Sequence, residues 1–218
     1  MTIISRAILA LLVAATFVLL AITGGPASPW DTAVASWFGQ FRANSPAAIQ
    51  LAAALTVVGG AYVTLGASFV GTVWLLIKQM PRRGLILATT VLVGRLSVEL
   101  MKDAFARPRP QAEHLPSSLA FPSGHAANSM ITYLAIALIV APPRYRRPAI
   151  MIALAISLIV GATRLVLGVH WTSDVFGGWI FGLLAVGLAV TIGEQSGALR
   201  FEAKHDVVAR HGTPVSED

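Results

Sequence analysis

Thr163-Arg-Leu-Val-Leu-Gly-Val-His-Trp-Thr-Ser-Asp174 stands at the seam between two apolar runs, residues 149–167 and 175–192, and places Arg164, His170 and Asp174 there. His170 and Asp174 are four residues apart. In a helix or at a helix entry, that spacing lets the carboxylate accept from one imidazole nitrogen and leaves the other free. A histidine held in this way can serve as a nucleophile or a general base. Gly168 is a natural helix terminator, so the helix carrying Arg164 is expected to end just before it. Taken alone, the triplet also fits a plain His–Asp hydrogen bond at a membrane edge.

The surroundings decide what kind of chain this is. Hydrophobic residues make up 56% of the 218 and charged residues only 12%, whereas a soluble domain carries roughly 25% charged residues. There is no cysteine, so disulfides and thiolate metal sites are excluded and the redox compartment is unreadable. A net charge of +6 could suggest nucleic acid. The basic residues, however, lie in short loops between apolar runs, which fits membrane orientation and no nucleic-acid partner. The composition is that of an all-α, polytopic integral membrane protein.

Working outward, six spans are expected. The first is Ala7–Thr23, read as an uncleaved anchor rather than a signal peptide, because no clear small-x-small cleavage site follows. A polar and aromatic stretch with Trp30, Asp31, Trp37, Phe38, Phe41 and Arg42 suggests an interfacial helix. Residues 47–77 are too long for one simple span. Gly59-Gly60 should divide them into a short entry helix and a second span, Ala61–Ile77. The others are Leu85–Met101, Ala126–Ala141, Ala149–Leu167 and Val175–Ile192, each approaching the ~20 residues that cross a bilayer. Residues 1–195 form the membrane domain, and 196–218 a polar cytoplasmic tail expected to be partly disordered, with His205 and His211 in it. No internal repeat is visible.

Six spans put both termini on one side. If that side is cytoplasmic, it holds ten basic residues, among them Lys78, Arg82, Arg83, Arg144, Arg146 and Arg147. The opposite face holds five, namely Arg42, Lys102, Arg107, Arg109 and Arg164. The bias obeys the positive-inside rule, and the five outer cations call for another reason. Four of them surround the histidines. Lys102 to Pro110 leaves the third span and turns extended, since each proline disfavours helix at the residue before it. Phe121-Pro-Ser-Gly-His125 then enters the fourth. Pro122 and Ser123 suit a helix start, and Gly124 admits a ligand close to the backbone. Helix N-terminal amides form a ready anion site. With Lys102, Arg109 and Arg164 added, the pocket suits a phosphate.

These segments resemble the signature of the type 2 phosphatidic-acid phosphatase family, which contains lipid phosphatases and vanadium haloperoxidases. The pattern is Lys-x6-Arg-Pro, then Pro-Ser-Gly-His, then Arg-x5-His-x3-Asp. It occurs here in order as Lys102/Arg109-Pro110, Pro122 to His125, and Arg164/His170/Asp174. The six-span layout agrees, and only the tail falls outside the likeness. One departure is Thr163, where the family usually has serine. The hydroxyl is kept, though its branched carbon could shift a phosphate contact.

The resemblance implies a metal-independent membrane lipid phosphatase with an extracytoplasmic active site, in a bacterial plasma membrane. His170 would attack phosphorus to form a phosphohistidine, and Asp174 would fix its tautomer. His125 would protonate the leaving alcohol and later deprotonate water. Lys102, Arg109, Arg164, Ser123 and the Gly124 backbone would cradle the phosphoryl oxygens. Those cations would do the work of Mg²⁺, so no cofactor is implied. A lipid phosphotransferase shares every motif residue. A phospholipid or phosphate transporter is disfavoured, because its site would lie near the midplane between related halves. A haloperoxidase fits poorly, since those are soluble and larger.

The remaining charged residues have plainer readings. Arg107 has no motif position and is expected at a headgroup or the surface. His114, near Glu113, is expected to be solvated. A metal site from His114, His125 and His170 conflicts with the three cations nearby. Arg95 and Glu99, four apart inside the third span, are expected to face inward as a pair, either locking one helix against another or lying beneath the pocket to tune Lys102 or meet a polar headgroup. The lipid substrate and the oligomeric state are not readable from the residues.

Overall fold

Proline opens four of the helices in the computed structural model, which describes residues 3–110 and 119–199, with side chains from Ile8 onward. The elements run α1 (Ile3–Thr23), α2 (Pro29–Asn44), α3 (Pro46–Thr56), a 3₁₀ turn (Val57–Gly59), α4 (Ala61–Ile77), α5 (Pro81–Phe105), α6 (Gly124–Ile139), α7 (Pro143–Val166) and α8 (Thr172–Gln195). Pro29, Pro46, Pro81 and Pro143 each sit in a first turn, where the missing N–H costs nothing and the fixed φ suits the helix. Among the described residues there is no strand. Glu113 and His114, and the tail from residue 200 with His205 and His211, lie outside the described residues.

Four segments are long and apolar enough to cross a bilayer, namely Pro46–Ile77, α5, α7 and α8, with mean hydropathies from 1.6 to 2.2. Ile8–Thr23 and α6 are apolar but shorter. With 16 residues, α6 is about 24 Å long, less than the ~30 Å hydrocarbon core. The expected break at Gly59-Gly60 is present as the 3₁₀ turn, with Gly60 extended at φ −70°, ψ 164°. Large apolar side chains point outward all around the bundle, including Leu11, Ile22, Phe69, Val70, Leu85 and Met151, each at least 65% exposed. In water such a surface would aggregate, and in lipid it is at home. The chain is an integral membrane protein.

The core is organised on α6, which packs against α4, α5, α7 and α8 and has Met130, Ile131, Leu134, Ala135 and Ile139 in the buried cluster. An all-round apolar helix of this kind belongs in a bundle interior. Its approach to α8 is close enough to require glycine. A Cβ on Gly178 would lie 2.7 Å from the Ser123 carbonyl oxygen, and one on Gly182 would lie 2.6 Å from Met130 Cβ.

The structure corrects the inward pairing of Arg95 with Glu99, and of the two readings it keeps the contact to Lys102. Glu99 is 52% exposed, and both its oxygens lie 3.0 Å from Lys102 Nζ rather than on Arg95. The reason is the register of α5. Its buried stripe runs through Leu87, Val91, Gly94 and Val98, so positions 95 and 99 fall beside that stripe, not on it.

Charge separates the two ends of the bundle. Lys78, Arg82, Arg83, Arg144, Arg146 and Arg147 mark the links α4–α5 and α6–α7, where Arg83 Nε donates to the Ala198 carbonyl. At the other end, the close of α5, the start of α6, the close of α7 and the start of α8 converge. Helix α2 lies across that end, packed on α7, α3 and α8. Its Trp30 and Trp37 are about 60% exposed, as suits a helix at an interface, but its Asp31 is fully buried.

Candidate active site

Three separate segments are tied together around the first turn of α8. Helix α5 ends on Ala106 in the left-handed region (φ 45°), which turns residues 107–110 toward the link between α7 and α8. There Pro108 O accepts from Trp171 Nε1 at 2.8 Å, and Arg109 Nη1 donates to Val169 O at 2.8 Å. From the other side, Ser123 N donates to Asp174 O at 3.0 Å. Gly168, at φ 69°, closes α7 as expected, so Arg164 stands in its last turn.

His170 lies in the link just before Trp171, the N-cap of α8, and is 4% exposed. Its Nδ1 is 3.4 Å from Asp174 Oδ2, and its Nε2 is 3.2 Å from Arg109 Nη1. A guanidinium can only donate, so Nε2 must be the unprotonated nitrogen and Nδ1–H faces the carboxylate. The Nε2 lone pair is thereby aimed at the cations. Burial drives the imidazole down to about 4, against the upward pull of Asp174, so the ring is neutral at physiological pH. Burial also lowers Arg109, offset by Asp174 and Glu99, but a guanidinium stays protonated regardless.

The other candidates stand at the neighbouring helix ends. Lys102 is 18% exposed. A Cβ on Gly124 would sit 3.4 Å from its Nζ, so that ammonium stands at the N-terminus of α6. Ser123 is the N-cap, yet its hydroxyl makes no cap bond and is buried without a partner. Arg164 donates from Nη1 to Thr56 Oγ1 at 2.8 Å, while its buried Nε is unpartnered. His125 is half-buried, one residue into α6, within electrostatic reach of His170, Lys102, Arg109 and Arg164. Unmade donors are costly to bury, and an oxyanion would satisfy both. Thr163 contributes nothing to this set, because its hydroxyl donates to Val160 O at 2.6 Å within its own helix. A narrow cleft beside His170 is bounded by Phe38 and Arg42 of α2, Pro110 and Thr172.

Two residues were misjudged from the sequence. Arg107 is neither at a headgroup nor at the surface, being only 6% exposed. Its Nη1 donates to Asp174 Oδ1 at 2.7 Å and to Ser173 Oγ at 2.9 Å. Its Nη2 donates to the carbonyls of Leu20 and Ala21 at 2.8 and 2.7 Å, and its carbon lies 4.4 Å over the Phe121 ring. Asp31, grouped with an interfacial stretch, instead accepts from Gly25 N, Ser173 N and Ser173 Oγ at 2.6, 2.9 and 2.5 Å. One signal was available, since Asp31 is the sole acidic residue before Glu99. A lone carboxylate in so apolar a stretch needs a buried partner.

The sequence model of the PAP2 superfamily matches residues 83–197, a segment holding Lys102, Arg109, Ser123, Gly124, His125, Arg164, His170 and Asp174. The chain belongs to the PAP2 superfamily. Phosphatidylglycerophosphatase B of Bacillus subtilis (strain 168) is 34% identical over 108 residues, 46% of this chain and 53% of that one. A lipid A 1-phosphatase of Rhizobium etli is 38% identical over 120 residues, 47% of this chain and 49% of the relative. An undecaprenyl-diphosphatase of Sulfolobus acidocaldarius is 26% identical over 134 residues, 58% and 62% of the two chains. The PAP2 chain thus spans about half to three-fifths of these curated relatives. The crystal structure of a transmembrane PAP2-type phosphatidylglycerolphosphate phosphatase from Bacillus subtilis superposes with a TM-score of 0.76 at 26% identity. That match covers 85% of this chain and 96% of the other, so the likeness in fold extends beyond the segment 83–197 that the family model matches.

Proposed function

We propose that this PAP2 protein is a membrane lipid phosphatase working through a phosphohistidine. The observation that carries the reading is the line Asp174–His170–Arg109, with the imidazole neutral, Nδ1–H on the carboxylate and Nε2 facing a guanidinium. Nε2 would attack phosphorus as the bond to the lipid alcohol breaks, and His125 would give that alkoxide its proton. The positive charge left on the His170 ring is stabilised by Asp174. Arg109, Arg164, Lys102 and the Ser123–Gly124 turn hold the phosphoryl oxygens. His125, now neutral, takes a proton from the water that releases inorganic phosphate. Charge neutralisation comes from the protein's own cations. Losing Arg109 or Arg164 should therefore cost ~3 kcal/mol of barrier, roughly a hundredfold in rate.

The same reading carries a placement in the membrane. Residues 1–195 cross six times, as α1, α3–α4, α5, α6, α7 and α8. Both termini, with the polar tail 196–218, lie on the cytoplasmic side, and the site faces away from it. Support comes from the clustering of the loop cations Lys78 to Arg83 and Arg144 to Arg147 at the end opposite His170.

The test is phosphate release by purified protein in EDTA. The substrates are phosphatidylglycerol phosphate, phosphatidic acid, undecaprenyl diphosphate and lipid A 1-phosphate. Vanadate, which mimics five-coordinate phosphorus, should inhibit. His170→Ala should abolish both turnover and the phosphoenzyme. A phosphoenzyme persisting in His170→Ala, or activity lost in EDTA and restored by Mg²⁺, would rule the mechanism out.

A further inference from the structure

Arg107 spends all four of its terminal Nη–H bonds on protein acceptors, and together they tie the end of α1 to the base of the site. Two go to Leu20 and Ala21 at the end of α1, one to Ser173 and one to Asp174 in the first turn of α8. Ser173 accepts from Arg107 and passes its own proton to Asp31 of α2. No Nη hydrogen is left over for a substrate oxygen. The opposite end of α2 completes the brace. Arg42 Nη1 lies 3.4 Å from the Leu165 and Val166 carbonyls at the close of α7, so α2 holds an anion at the start of α8 and a cation at the end of α7. Both signs suit the helix ends they meet.

We infer that Arg107 and Asp31 are positioning residues for the phosphatase reaction, holding the Asp174 carboxylate aimed at His170 Nδ1. It follows that the α1–α2 segment, which precedes the stretch matched by the family model, is part of the working site. Asp174 makes no other contact to a permanent cation among those described. Its Oδ2 takes Trp171 N at 2.8 Å and His170 Nδ1 at 3.4 Å, and its Oδ1 takes Arg107. The charged and titratable groups around the His170–Asp174 pair are Arg107 and Arg109 from the segment after α5, Lys102 from α5, His125 from α6, Arg164 from α7, and Asp31 and Arg42 from α2.

The sign of the effect follows from charge. Removing the guanidinium strips the pair of its nearest fixed cation, so the pair binds a proton more readily, whichever member takes it. The kinetic arm of the test rests on the phosphatase reading, and a second arm does not. In the second, protein with ¹⁵N-labelled histidine is titrated in detergent micelles and the His170 ring is followed by NMR. Arg107→Met should raise the apparent midpoint of the pair by roughly one unit or more, as loss of a contacting opposite charge does. Arg107→Gln, which keeps amide donors but no charge, should show the same rise. Arg107→Lys should bring the midpoint back toward wild type. With dioctanoyl phosphatidic acid as substrate, the acid limb of kcat/KM should move up by the same amount, and kcat should fall with KM nearly unchanged. Asp31→Asn and Ser173→Ala should be non-additive in kcat, since both cut one chain of bonds.

An unmoved midpoint in Arg107→Met and Arg107→Gln proteins that elute as folded species overturns the inference, with or without turnover. Additive losses for Asp31 and Ser173 overturn the part assigned to α2. A wild type that hydrolyses none of the lipid phosphates sinks the phosphatase reading alone and leaves the titration to decide.

Discussion

Replacing Gly178 by alanine adds one methyl group at the place where α8 supports the entry of α6. The new Cβ would stand 2.7 Å from the Ser123 carbonyl oxygen and 3.0 Å from both Ala126 Cβ and the Ala127 nitrogen. Two of these three neighbours are backbone, so no rotamer change relieves the clash. Ordinary contact begins at 3.4 Å, which means Ser123 O and α8 must separate by about 0.7 Å. That oxygen accepts the first hydrogen bond of α6, from Ala127 N at 3.0 Å, and the Ser123 nitrogen is held by Asp174 O at 3.0 Å. The shift therefore falls on Ser123, Gly124 and His125 together and moves them away from His170. A misplacement near 1 Å costs on the order of a hundredfold in rate, so kcat should drop between about tenfold and a hundredfold. Overpacking should also cost about 1–3 kcal/mol of stability. Lipid phosphate turnover and thermal unfolding in detergent measure the two effects. Two further alanines on α8 calibrate the result. A Cβ on Gly187 would meet no described atom of another element within 4 Å, so Gly187→Ala should keep full activity. Gly182→Ala would press on Met130 Cβ and Cγ, a full turn further from the Ser123–His125 turn, lowering stability more than kcat. Full activity in Gly178→Ala would refute the claim that this contact sets the position of the Ser123–His125 turn.

His125→Ala should be nearly inactive on a lipid phosphate, whose alkoxide needs a proton to leave. With a leaving group of low pKa, the same variant should still form the acid-labile phosphohistidine and accumulate it, because water activation is missing; rapid quench with labelled substrate distinguishes the two, and equal loss on both substrates would remove His125 from that role. Because the chain has no cysteine, single cysteines report topology cleanly: Asp103→Cys should label with an impermeant maleimide on intact cells and Tyr145→Cys should not, while the reverse pattern would invert the orientation.

What the sequence made legible was whatever depends on near neighbours along the chain. The His170–Asp174 spacing, the stop at Gly168, the break at Gly59-Gly60 and the helix start at Ser123 are local, and all appear where they were read. The misreadings share one cause. Arg95 and Glu99 satisfied a four-residue spacing rule, but their exposure depends on which face of α5 the rest of the bundle covers, and the stripe through Val91, Gly94 and Val98 leaves them to one side. Arg107 looked dispensable because its partners come from residues 20, 21, 173 and 174, separations that no local pattern encodes. Asp31 lay in the same blind spot. Yet the cost of burying charge is visible in sequence even when the partner is not. Arg107 is one of five cations on the poorly charged face, and Asp31 is the one acid in the first 98 residues. Each was a charge without a local reason to be there. Folding supplies the reason by bringing the two to the same serine, Ser173, one residue before the carboxylate that orients His170. In an apolar chain, an unexplained charge thus points to a long-range partner, and here the partners meet at the site.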